Sequence, residues 1–366
     1  MKRSHKIILS AGGTGGHIYP AIAIADGLRE RLKDVKILFI GAKDRMEMQK
    51  IPQAGYAIIG LWISGLRGKN IRELLLFPFK IMHSLWKSHR ILKKFRPDLV
   101  IGTGGYASGA LLYMAAQKNI PILIQEQNAI PGLTNKKLSR YARVICTAYS
   151  DTKAYFPQEK VRCLGNPLRK GITHCVYNRK EACEKFSLDP EKPVILSLGG
   201  SQGAHTLNQA WLRGLKKIIR NDIQLVWQSG KNDFEELKKY RETQHESIHI
   251  TDFIDDISAA YTAADLIVSR AGALALSELA LAGKPCLLIP YPWSVGDHQY
   301  KNTQAIVNEK AALMIANDQV DKILVDKVLD LIKDTKAKNT LSKNLAALAR
   351  PRATEEIIKE ILNLLP

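Results

Sequence analysis

The chain has 366 residues, of which 46% are hydrophobic and 24% are charged, proportions typical of a globular protein with large cores. At about 100–200 residues per domain, this length predicts two domains. The composition excludes a disordered, collagen-like or coiled-coil protein. Five cysteines at irregular spacings, without a CxxC pair, argue against a disulfide framework or a structural zinc site and indicate a reducing compartment.

The net charge of +19 is distributed unevenly along the chain. Residues 1–166 contain 27 Lys and Arg against 10 Asp and Glu, whereas residues 167–366 contain 27 against 25. The first half is therefore expected to face an anionic partner. The second half is expected to face a partner that is neutral or is bound by individual groups of the site. A solvated basic surface is the alternative. No DNA- or RNA-binding signature accompanies the charge, so no nucleic-acid partner is predicted.

No targeting or membrane-spanning segment is predicted. Three cations precede a short apolar run at residues 7–9, but that run is too short for the core of a signal peptide. The sequence contains no stretch of about 18 apolar residues. We therefore expect a soluble or peripheral protein on the cytoplasmic side.

Short β-branched runs alternate with helical patterns in the first half. Strands are predicted at residues 6–10, 36–40, 99–101, 121–124 and 144–147, and helices at residues 21–33, 70–95 and 109–117. The same alternation restarts after about residue 167. Strands are predicted there at residues 194–198, 224–228, 248–251, 266–269 and 286–289, and a last helix at residues 355–364.

This alternation predicts an α/β protein with two Rossmann-like, doubly wound parallel-sheet domains that face a cleft. The first domain is expected at residues 1–166 and the second at residues 167–350. The segment at residues 351–366 is expected to pack back on the first domain.

Three glycine-rich turns, at residues 12–16, 102–105 and 199–203, directly follow predicted strands. Such turns let backbone amides and a helix N-terminus approach a phosphate group. Because ligands of open α/β sheets bind beyond the carboxyl ends of the strands, we expect a phosphate or sugar-phosphate ligand there. Tight turns without any ligand are the alternative.

Several other chemistries are disfavoured by the sequence. Gly102, Gly104 and Ala107, with Glu126 further on, match the spacing of a dinucleotide fingerprint, but in mid-domain rather than on the first strand. The sequence has no P-loop, no nucleophile elbow and no paired-histidine metal motif. Neither a metal nor a cofactor is therefore expected.

Nine motifs, in order along essentially the whole chain, carry a resemblance to a known family. They are GGTGGHIYP (12–20), GLRGK (65–69), GTGGYASG (102–109), EQNAIPGLTN (126–135), GNPLR (165–169), GGSQGA (199–204), FIDD (253–256), RAGALALSE (270–278) and DHQYKN (297–302). On these motifs the chain resembles the MurG family of bacterial UDP-N-acetylglucosamine:N-acetylmuramyl-(pentapeptide) pyrophosphoryl-undecaprenol N-acetylglucosaminyltransferases. The resemblance implies a GT-B fold, with the lipid-linked acceptor on the first domain and the nucleotide sugar on the second.

The resemblance also implies a set of site residues. Donor binding is expected at Thr14, Gly15, Gly16, Asn128, Arg169, Ser201, Gln202, Ile254, Ala273, Leu274, Glu278, His298 and Gln299, and acceptor binding at Gly13, Gly104, Gly105, Tyr106 and Asn135.

Within the donor set, the backbone of Ile254 would read uracil. Ser201 and the amides around Gln202 would meet the pyrophosphate, and Arg169 would supply positive charge to the leaving UDP. Asn128, His298 and Gln299 would hold the sugar hydroxyls.

Glu278 suits a ribose diol because a carboxylate only accepts hydrogen bonds. Its predicted place at a helix start leaves an alternative, in which the acid only complements the helix dipole.

Inverting transfer to an acceptor hydroxyl requires a base. His17 is the first candidate because histidine can accept a proton near pH 7, and Glu126 at a strand end is the second. The implied reaction transfers N-acetylglucosamine from UDP-N-acetylglucosamine to the muramyl 4-hydroxyl of lipid I, giving lipid II for peptidoglycan synthesis. Other GT-B transferases or epimerases, and a basic protein that binds without chemistry, are the alternatives.

Residues 69–96 combine many apolar side chains with eight cations and one acid, Glu73. This pattern favours an amphipathic segment at the headgroup boundary of an anionic membrane, although a helix fully packed on its sheet is the alternative. We expect a peripheral protein on the cytoplasmic face of the inner membrane, with other cell-wall synthesis proteins as further partners.

Overall fold

The computed structural model describes residues 4–65, 75–168, 177–200 and 202–366. The chain divides into two compact units. The first unit comprises Met1–Arg169 and Pro351–Pro366, and the second comprises Lys170–Arg350. Each unit is built around one parallel sheet.

The sheet of the first unit has the strand order β3-β2-β1-β4-β5-β6-β7, and every neighbouring pair is parallel. Its strands are β1 (His5–Ser10), β2 (Val35–Ala42), β3 (Ile58–Leu61), β4 (Leu99–Gly102), β5 (Ile122–Glu126), β6 (Val144–Thr147) and β7 (Val161–Cys163). The chain winds outwards from β1 to β3 and then returns to β4 and winds the other way. This order leaves a switch point between β1 and β4, where the loops after the two strands diverge.

The helices of this part of the chain are α1 (Gly15–Arg31), α2 (Glu47–Gln53), α3 (Phe77–Phe95), α4 (Tyr106–Gln117) and α5 (Leu133–Leu138). Short 3-10 helices lie at Ser139–Tyr141, Ser150–Tyr155 and Gln158–Lys160. Successive residues of β1 point to opposite faces of the sheet, and both faces are buried. Ile7 and Leu9 pack in a core that includes α1, and Ile8 packs in a second core with α3 and α4.

The second unit repeats this architecture with the strand order β10-β9-β8-β11-β12-β13, again entirely parallel. Its strands are β8 (Val194–Leu198), β9 (Gln224–Gln228), β10 (Ile248–Thr251), β11 (Leu266–Ser269), β12 (Cys286–Leu288) and β13 (Leu313–Met314). A second switch point therefore lies between β8 and β11.

The helices of the second unit are α6 (Arg179–Glu184), α7 (His205–Arg220), α8 (Phe234–Leu237), α9 (Ile257–Ala263), α10 (Ala273–Ala282), α11 (His298–Asn308), α12 (Val320–Lys333) and α13 (Thr335–Ala347). Short 3-10 segments lie at Arg241–Gln244 and Val295–Asp297. Trp211 of α7 and Trp227 of β9 are fully buried in a core that also contains Leu324 and Val328 of α12.

The last helix, α14 (Ala353–Leu364), belongs to the first unit. Its buried residues Ile357, Ile358 and Ile361 join the core that contains α1. Gly27 of α1 allows this contact, since a Cβ there would lie 2.2 Å from Cδ1 of Ile358.

The two doubly wound sheets confirm the predicted fold class, and each of the ten predicted strands is present. The prediction missed β3, β7 and β13, which are short and lie at sheet edges with partly exposed residues. It also began α1 too late, at residue 21. Pro20 lies inside this helix, where its missing N–H leaves the carbonyl of Gly16 without its helical donor. The predicted helix at residues 70–95 begins at Phe77, and residues 70–74 lie outside the described residues.

Glu47, a fully buried acid on α2, fixes the glycine-rich loop after β1. One carboxylate oxygen accepts from the amide of Gly13 at 3.1 Å, and the other accepts from the amide of Ala42 at 2.9 Å. The carboxylate thus joins the loop after β1 to the end of β2. Because both of its oxygens accept from buried or partly buried amides, no neutral side chain can replace it fully.

We expect Glu47→Gln to destabilise the first unit by about 1–3 kcal/mol, because its NH₂ group must face a backbone N–H that then lacks an acceptor. Urea unfolding is the measurement. Glu159→Gln, at an exposed position of the same unit, is the matched control and should change stability by less than about 0.5 kcal/mol. Equal stability of the two variants would contradict the role of Glu47.

Candidate active site

In the first unit, the loops after β1, β4 and β5 meet around His17. This histidine lies in the first turn of α1 and is partly exposed. Its backbone carbonyl accepts from Oγ1 of Thr103 at 2.8 Å, and its ring Nδ1 lies 2.9 Å from Oε1 of Gln127. The ring is therefore held at the switch point by residues from two other strand ends.

Two glycines after β4 make this arrangement possible. A Cβ on Gly104 would lie 2.6 Å from Nδ1 of His17, and a Cβ on Gly105 would lie 2.3 Å from the carbonyl oxygen of Gly12. Both glycines also have positive φ angles, of 110° and 89°, which other residues rarely adopt. The predicted residues His17, Gly104 and Gly105 are thus brought together.

Thr14 is the N-cap residue of α1, and its carbonyl accepts from the amides of His17 and Ile18. The predicted residues Gly13 and Thr14 are exposed, and Gly15 and Gly16 form the first positions of the helix. Tyr106 begins α4 and is 46% exposed. These residues offer amides, a hydroxyl and an aromatic ring at the same end of the sheet.

Glu126, the second candidate base, is 1% exposed at the end of β5. Its carboxylate accepts from the backbone amide and Nδ2 of Asn128, both at 3.1 Å, from the amide of Gly132 at 3.2 Å and from Nδ2 of Asn135 at 2.8 Å. Asn135 is also 1% exposed. The buried carboxylate is therefore the hydrogen-bonded centre of the loop from Gln127 to Asn135, and Asn135 faces it rather than the surface.

In the second unit, the loop after β8 carries the predicted residue Gln202, which is exposed, and leads into α7. A Cβ on Gly203 would lie 2.3 Å from the carbonyl oxygen of Ser229, so this loop packs backbone to backbone against the end of β9. Nδ2 of Asn208 donates to the same carbonyl at 2.8 Å. The predicted residues Ser201 and Arg169 lie outside the described residues.

The loop after β11 leads into α10, whose first residues are the predicted Ala273 and Leu274. Glu278 is the sixth residue of this helix, so the prediction that it stands at the helix start was wrong. The dipole effect falls off within the first turn, which removes the alternative explanation for this acid. Glu278 is partly buried, and its Oε2 accepts from the hydroxyl of Tyr261 at 3.2 Å.

Ile254 follows β10 and is buried. Its amide donates to Oε1 of Gln228 at 3.1 Å, so the carbonyl is the group of this residue that remains for a ligand. Asp256 caps α9 through the amide of Ala259. Burial opposes its ionisation, but hydrogen bonds from Lys185 and Tyr177 outweigh burial and hold the pKa of Asp256 below its usual value.

His298 and Gln299 begin α11, after β12. Oε1 of Gln299 accepts from the amide of Tyr291 at 2.9 Å, which orients the side-chain amide. Gln202, Ile254, Ala273 and His298 thus follow four different parallel strands, and their loops lie at the same end of the sheet.

Sequence reasoning missed two residues of these loops, Gln127 and Arg270. Arg270 follows β11, and its Nη1 donates to Oδ1 of Asn317 at 2.8 Å and to the carbonyls of Ile289 and Pro290. Burial lowers the pKa of this guanidinium from its ordinary value. Both residues lie inside motifs that carry the resemblance, Gln127 in residues 126–135 and Arg270 in residues 270–278, but only their contacts show what the two side chains do.

Comparison with known proteins identifies the family of both units. The chain matches the glycosyltransferase family 28 N-terminal domain over residues 7–147 and the glycosyltransferase family 28 C-terminal domain over residues 194–357. It is 48% identical to the UDP-N-acetylglucosamine–N-acetylmuramyl-(pentapeptide) pyrophosphoryl-undecaprenol N-acetylglucosamine transferase of Christiangramia forsetii, covering 100% of this chain and 99% of that protein. It is 47% identical to the protein of the same name from Flavobacterium psychrophilum, covering 98% of each.

Among solved structures, the crystal structure of Acinetobacter baumannii MurG matches with a TM-score of 0.79 and 29% sequence identity, over 99% of this chain and 100% of that one. The GT-B fold and the resemblance drawn from the nine motifs are thereby confirmed. The chain is a glycosyltransferase that belongs to glycosyltransferase family 28.

Proposed function

We propose that the chain transfers N-acetylglucosamine, with inversion, from UDP-N-acetylglucosamine to the muramyl 4-hydroxyl of lipid I, which gives lipid II for peptidoglycan synthesis. The observation that carries this proposal is the pair of switch points. In each unit, a parallel sheet holds predicted site residues on glycine-rich loops at its carboxyl end. The direct test is transfer of labelled N-acetylglucosamine from the nucleotide sugar to a lipid I analogue.

The donor binds the second unit in this proposal. The carboxylate of Glu278 accepts hydrogen bonds from the ribose diol, and the carbonyl of Ile254 reads uracil. The amides of Ala273 and Leu274 at the N-terminus of α10 and those around Gln202 face the pyrophosphate, because helix N-termini favour anions. Arg169 and Ser201 are proposed to contact the same group.

The sugar of the donor is held by side-chain amides in this proposal. Gln299 is a good candidate because the Tyr291 amide already occupies its Oε1, which turns its NH₂ group toward other acceptors. His298 and Asn128 are assigned to the sugar hydroxyls with it.

We expect Glu278→Ala to weaken UDP binding about 10- to 100-fold, since loss of a partner for buried polar ligand groups costs about 1–3 kcal/mol. Isothermal titration calorimetry is the measurement. Glu236→Ala, at an exposed acid of the same unit, is the matched control. Unchanged UDP affinity of Glu278→Ala would contradict its proposed contact with the ribose.

Gln299→Ala should instead weaken the binding of UDP-N-acetylglucosamine more than the binding of UDP, because its proposed contact is to the sugar.

The first unit supplies the base and the acceptor site. His17 accepts the proton of the acceptor hydroxyl, whose oxygen forms the new bond to the anomeric carbon as the bond to the UDP oxygen breaks. Gly13, Gly104, Gly105 and Tyr106 line the acceptor side. Because the Glu126 carboxylate is buried under four hydrogen bonds, we assign Glu126 and Asn135 to holding the loop and not to chemistry or acceptor contact.

We expect His17→Ala to lower kcat by about 10²–10⁴-fold without loss of thermal stability, which is the contribution typical of a general base. Glu126→Gln should lower kcat together with the melting temperature, because it disturbs a buried loop. Since backbone amides and Arg169 are proposed to stabilise the leaving group, activity in EDTA should be complete. Near-normal turnover of His17→Ala would exchange the two roles.

The acceptor of this reaction carries a polyprenyl chain, so the first unit must reach a membrane surface. No helix among the described residues is long and apolar enough to span a bilayer. The N-terminal half of α3 and the residues before it, however, expose an apolar stripe. Leu75, Phe79, Met82 and Trp86 are 69%, 62%, 67% and 55% exposed and follow one another at helical spacing.

Cations border this stripe. Arg90 lies over the ring of Trp86 at 4.8 Å, and Lys80 lies 5.5 Å from the ring of Trp62, which is itself 41% exposed. Lys93 and Lys94 follow on the exposed side of the helix. An apolar stripe with aromatic residues and flanking cations suits the headgroup boundary of an anionic leaflet. We therefore propose peripheral binding at the cytoplasmic face of the inner membrane through α3, with other cell-wall synthesis proteins as further partners there.

We expect replacement of Lys80, Arg90 and Lys94 by Gln to weaken binding to phosphatidylglycerol vesicles about 100-fold at low salt, since each cation near an anionic surface contributes about 1 kcal/mol. Lys87 stays unchanged because its Nζ donates to the carbonyl of Gly60 at 2.7 Å. Vesicle co-sedimentation is the measurement.

The matched control replaces three exposed lysines of the second unit, Lys231, Lys239 and Lys336, by Gln. This variant loses the same net charge and should sediment with vesicles like the wild type. If both triple variants bind equally well, another face of the protein must carry the contact.

A further inference from the structure

The buried amide of Gln127 determines which nitrogen of His17 carries the proton. Gln127 directly follows β5 and is 1% exposed. Its Nε2 donates to the carbonyl of Thr103 at 2.9 Å and to the carbonyl of Gln125 at 3.2 Å, and it also contacts Oε1 of Gln125. All three partners are oxygens that accept hydrogen bonds.

This set of partners fixes the orientation of the amide. Rotation of the Gln127 amide by 180° would place its oxygen against three acceptor oxygens in a buried site, without any donor for it. The backbone on either side is held as well, because Nδ2 of Asn166 donates to the carbonyl of Gln127 at 3.2 Å and Nε2 of Gln125 donates to Oδ1 of Asn166 at 3.0 Å. The amide oxygen must therefore face His17.

An amide oxygen only accepts, so the hydrogen bond of 2.9 Å between Oε1 of Gln127 and Nδ1 of His17 requires a proton on Nδ1. A neutral imidazole has one N–H, and its lone pair is then on Nε2. The ring has little freedom to turn away, because Gly104 lies against Nδ1 and Cε1 and Thr103 holds the histidine backbone.

We propose that Gln127 is a positioning residue, which keeps neutral His17 in the Nδ1–H tautomer so that Nε2 can accept the proton of the acceptor hydroxyl. This inference rests on the proposed function of His17 as the base, although the tautomer itself does not depend on it. Gln127 contributes no charge, and its effect on the reaction passes entirely through the imidazole. As the proton moves from the hydroxyl to Nε2, the Gln127 oxygen continues to accept from Nδ1–H of the resulting imidazolium.

The test combines the tautomer of His17, read by ¹⁵N NMR of histidine-labelled full-length protein, with steady-state kinetics. The signals of His17 are assigned by their loss in His17→Gln. For the neutral imidazole of the wild type, we expect chemical shifts of a protonated Nδ1 and an unprotonated Nε2. In Gln127→Met, which keeps the volume but offers no amide oxygen, we expect the Nε2–H tautomer to be populated and kcat to fall about 10- to 100-fold.

Two further variants separate this role from a structural one. Gln127→Glu presents an oxygen to Nδ1 in either protonation state, so it should keep the Nδ1–H tautomer and restore much of the lost kcat. Gln125→Met removes a neighbour in the same buried network but leaves two carbonyls to orient Gln127, so it should leave the tautomer unchanged. Melting temperatures of all variants show the cost of the substitutions to the fold.

Three results would overturn the inference. These are an Nε2–H tautomer in the wild type, an unchanged Nδ1–H tautomer in Gln127→Met, and a Gln125→Met variant that shifts the tautomer as strongly as Gln127→Met. A shifted tautomer in Gln127→Met with unchanged kcat would instead overturn the role of His17 as the base, and with it the positioning role in catalysis. The tautomer measurement thus distinguishes failure of this inference from failure of the proposed function.

Discussion

The structure depends on backbone-to-backbone contact between the loops that leave neighbouring strands. In the first unit, Gly105 lies directly against the carbonyl of Gly12, and in the second unit Gly203 lies against the carbonyl of Ser229. Any Cβ at these two positions would overlap a backbone oxygen. The contacts bring the loops close enough for side chains from several strands to meet, and they leave helix N-termini free to face a ligand.

Buried side chains also hold these loops in place through hydrogen bonds. Glu47 accepts from amides at the end of β2 and in the loop after β1, and Glu126 accepts from two backbone amides and two side-chain amides in the loop after β5. These two acids, of the ten in residues 1–166, are removed from the surface. The burial of these two acids therefore fixes the loops of the candidate site. It also leaves the solvent-exposed surface of the first unit more positively charged.

The fold could be predicted because its signals are local. Every strand in the middle of a sheet contains a run of buried apolar residues, and each glycine-rich turn comes shortly after such a run. Edge strands such as β7 escaped prediction because one face is exposed and the apolar run is interrupted. Pro20 hid the first turn of α1, since proline more often marks a helix start than an interior position.

Without the resemblance, the candidate site could be predicted only where chemistry shows in residue type. His17 and Glu126 stand out as titratable groups, but their exposures differ, and burial depends on contacts that are distant in sequence. Gln127 lies 110 residues from His17, and the residue type of an uncharged amide does not show that it contacts the imidazole. Its importance follows from three acceptor oxygens that force its own oxygen toward the imidazole.

The buried face of helix α3 also could not be predicted from its sequence, because apolar residues lie on two sides of the helix. Ser84, Ser88, Ile91 and Leu92 face the core, where small hydroxyl side chains allow close packing, and Oγ of Ser84 donates to the carbonyl of Trp62 at 3.1 Å. The larger Phe79, Met82 and Trp86 remain exposed. This helix buries serines and exposes aromatic rings, which reverses the usual distribution of residue types between core and surface. Packing within the first unit does not require this exposure. Since the stripe borders cations rather than acids, an anionic surface with an apolar interior satisfies both of its features, and a lipid bilayer has that combination.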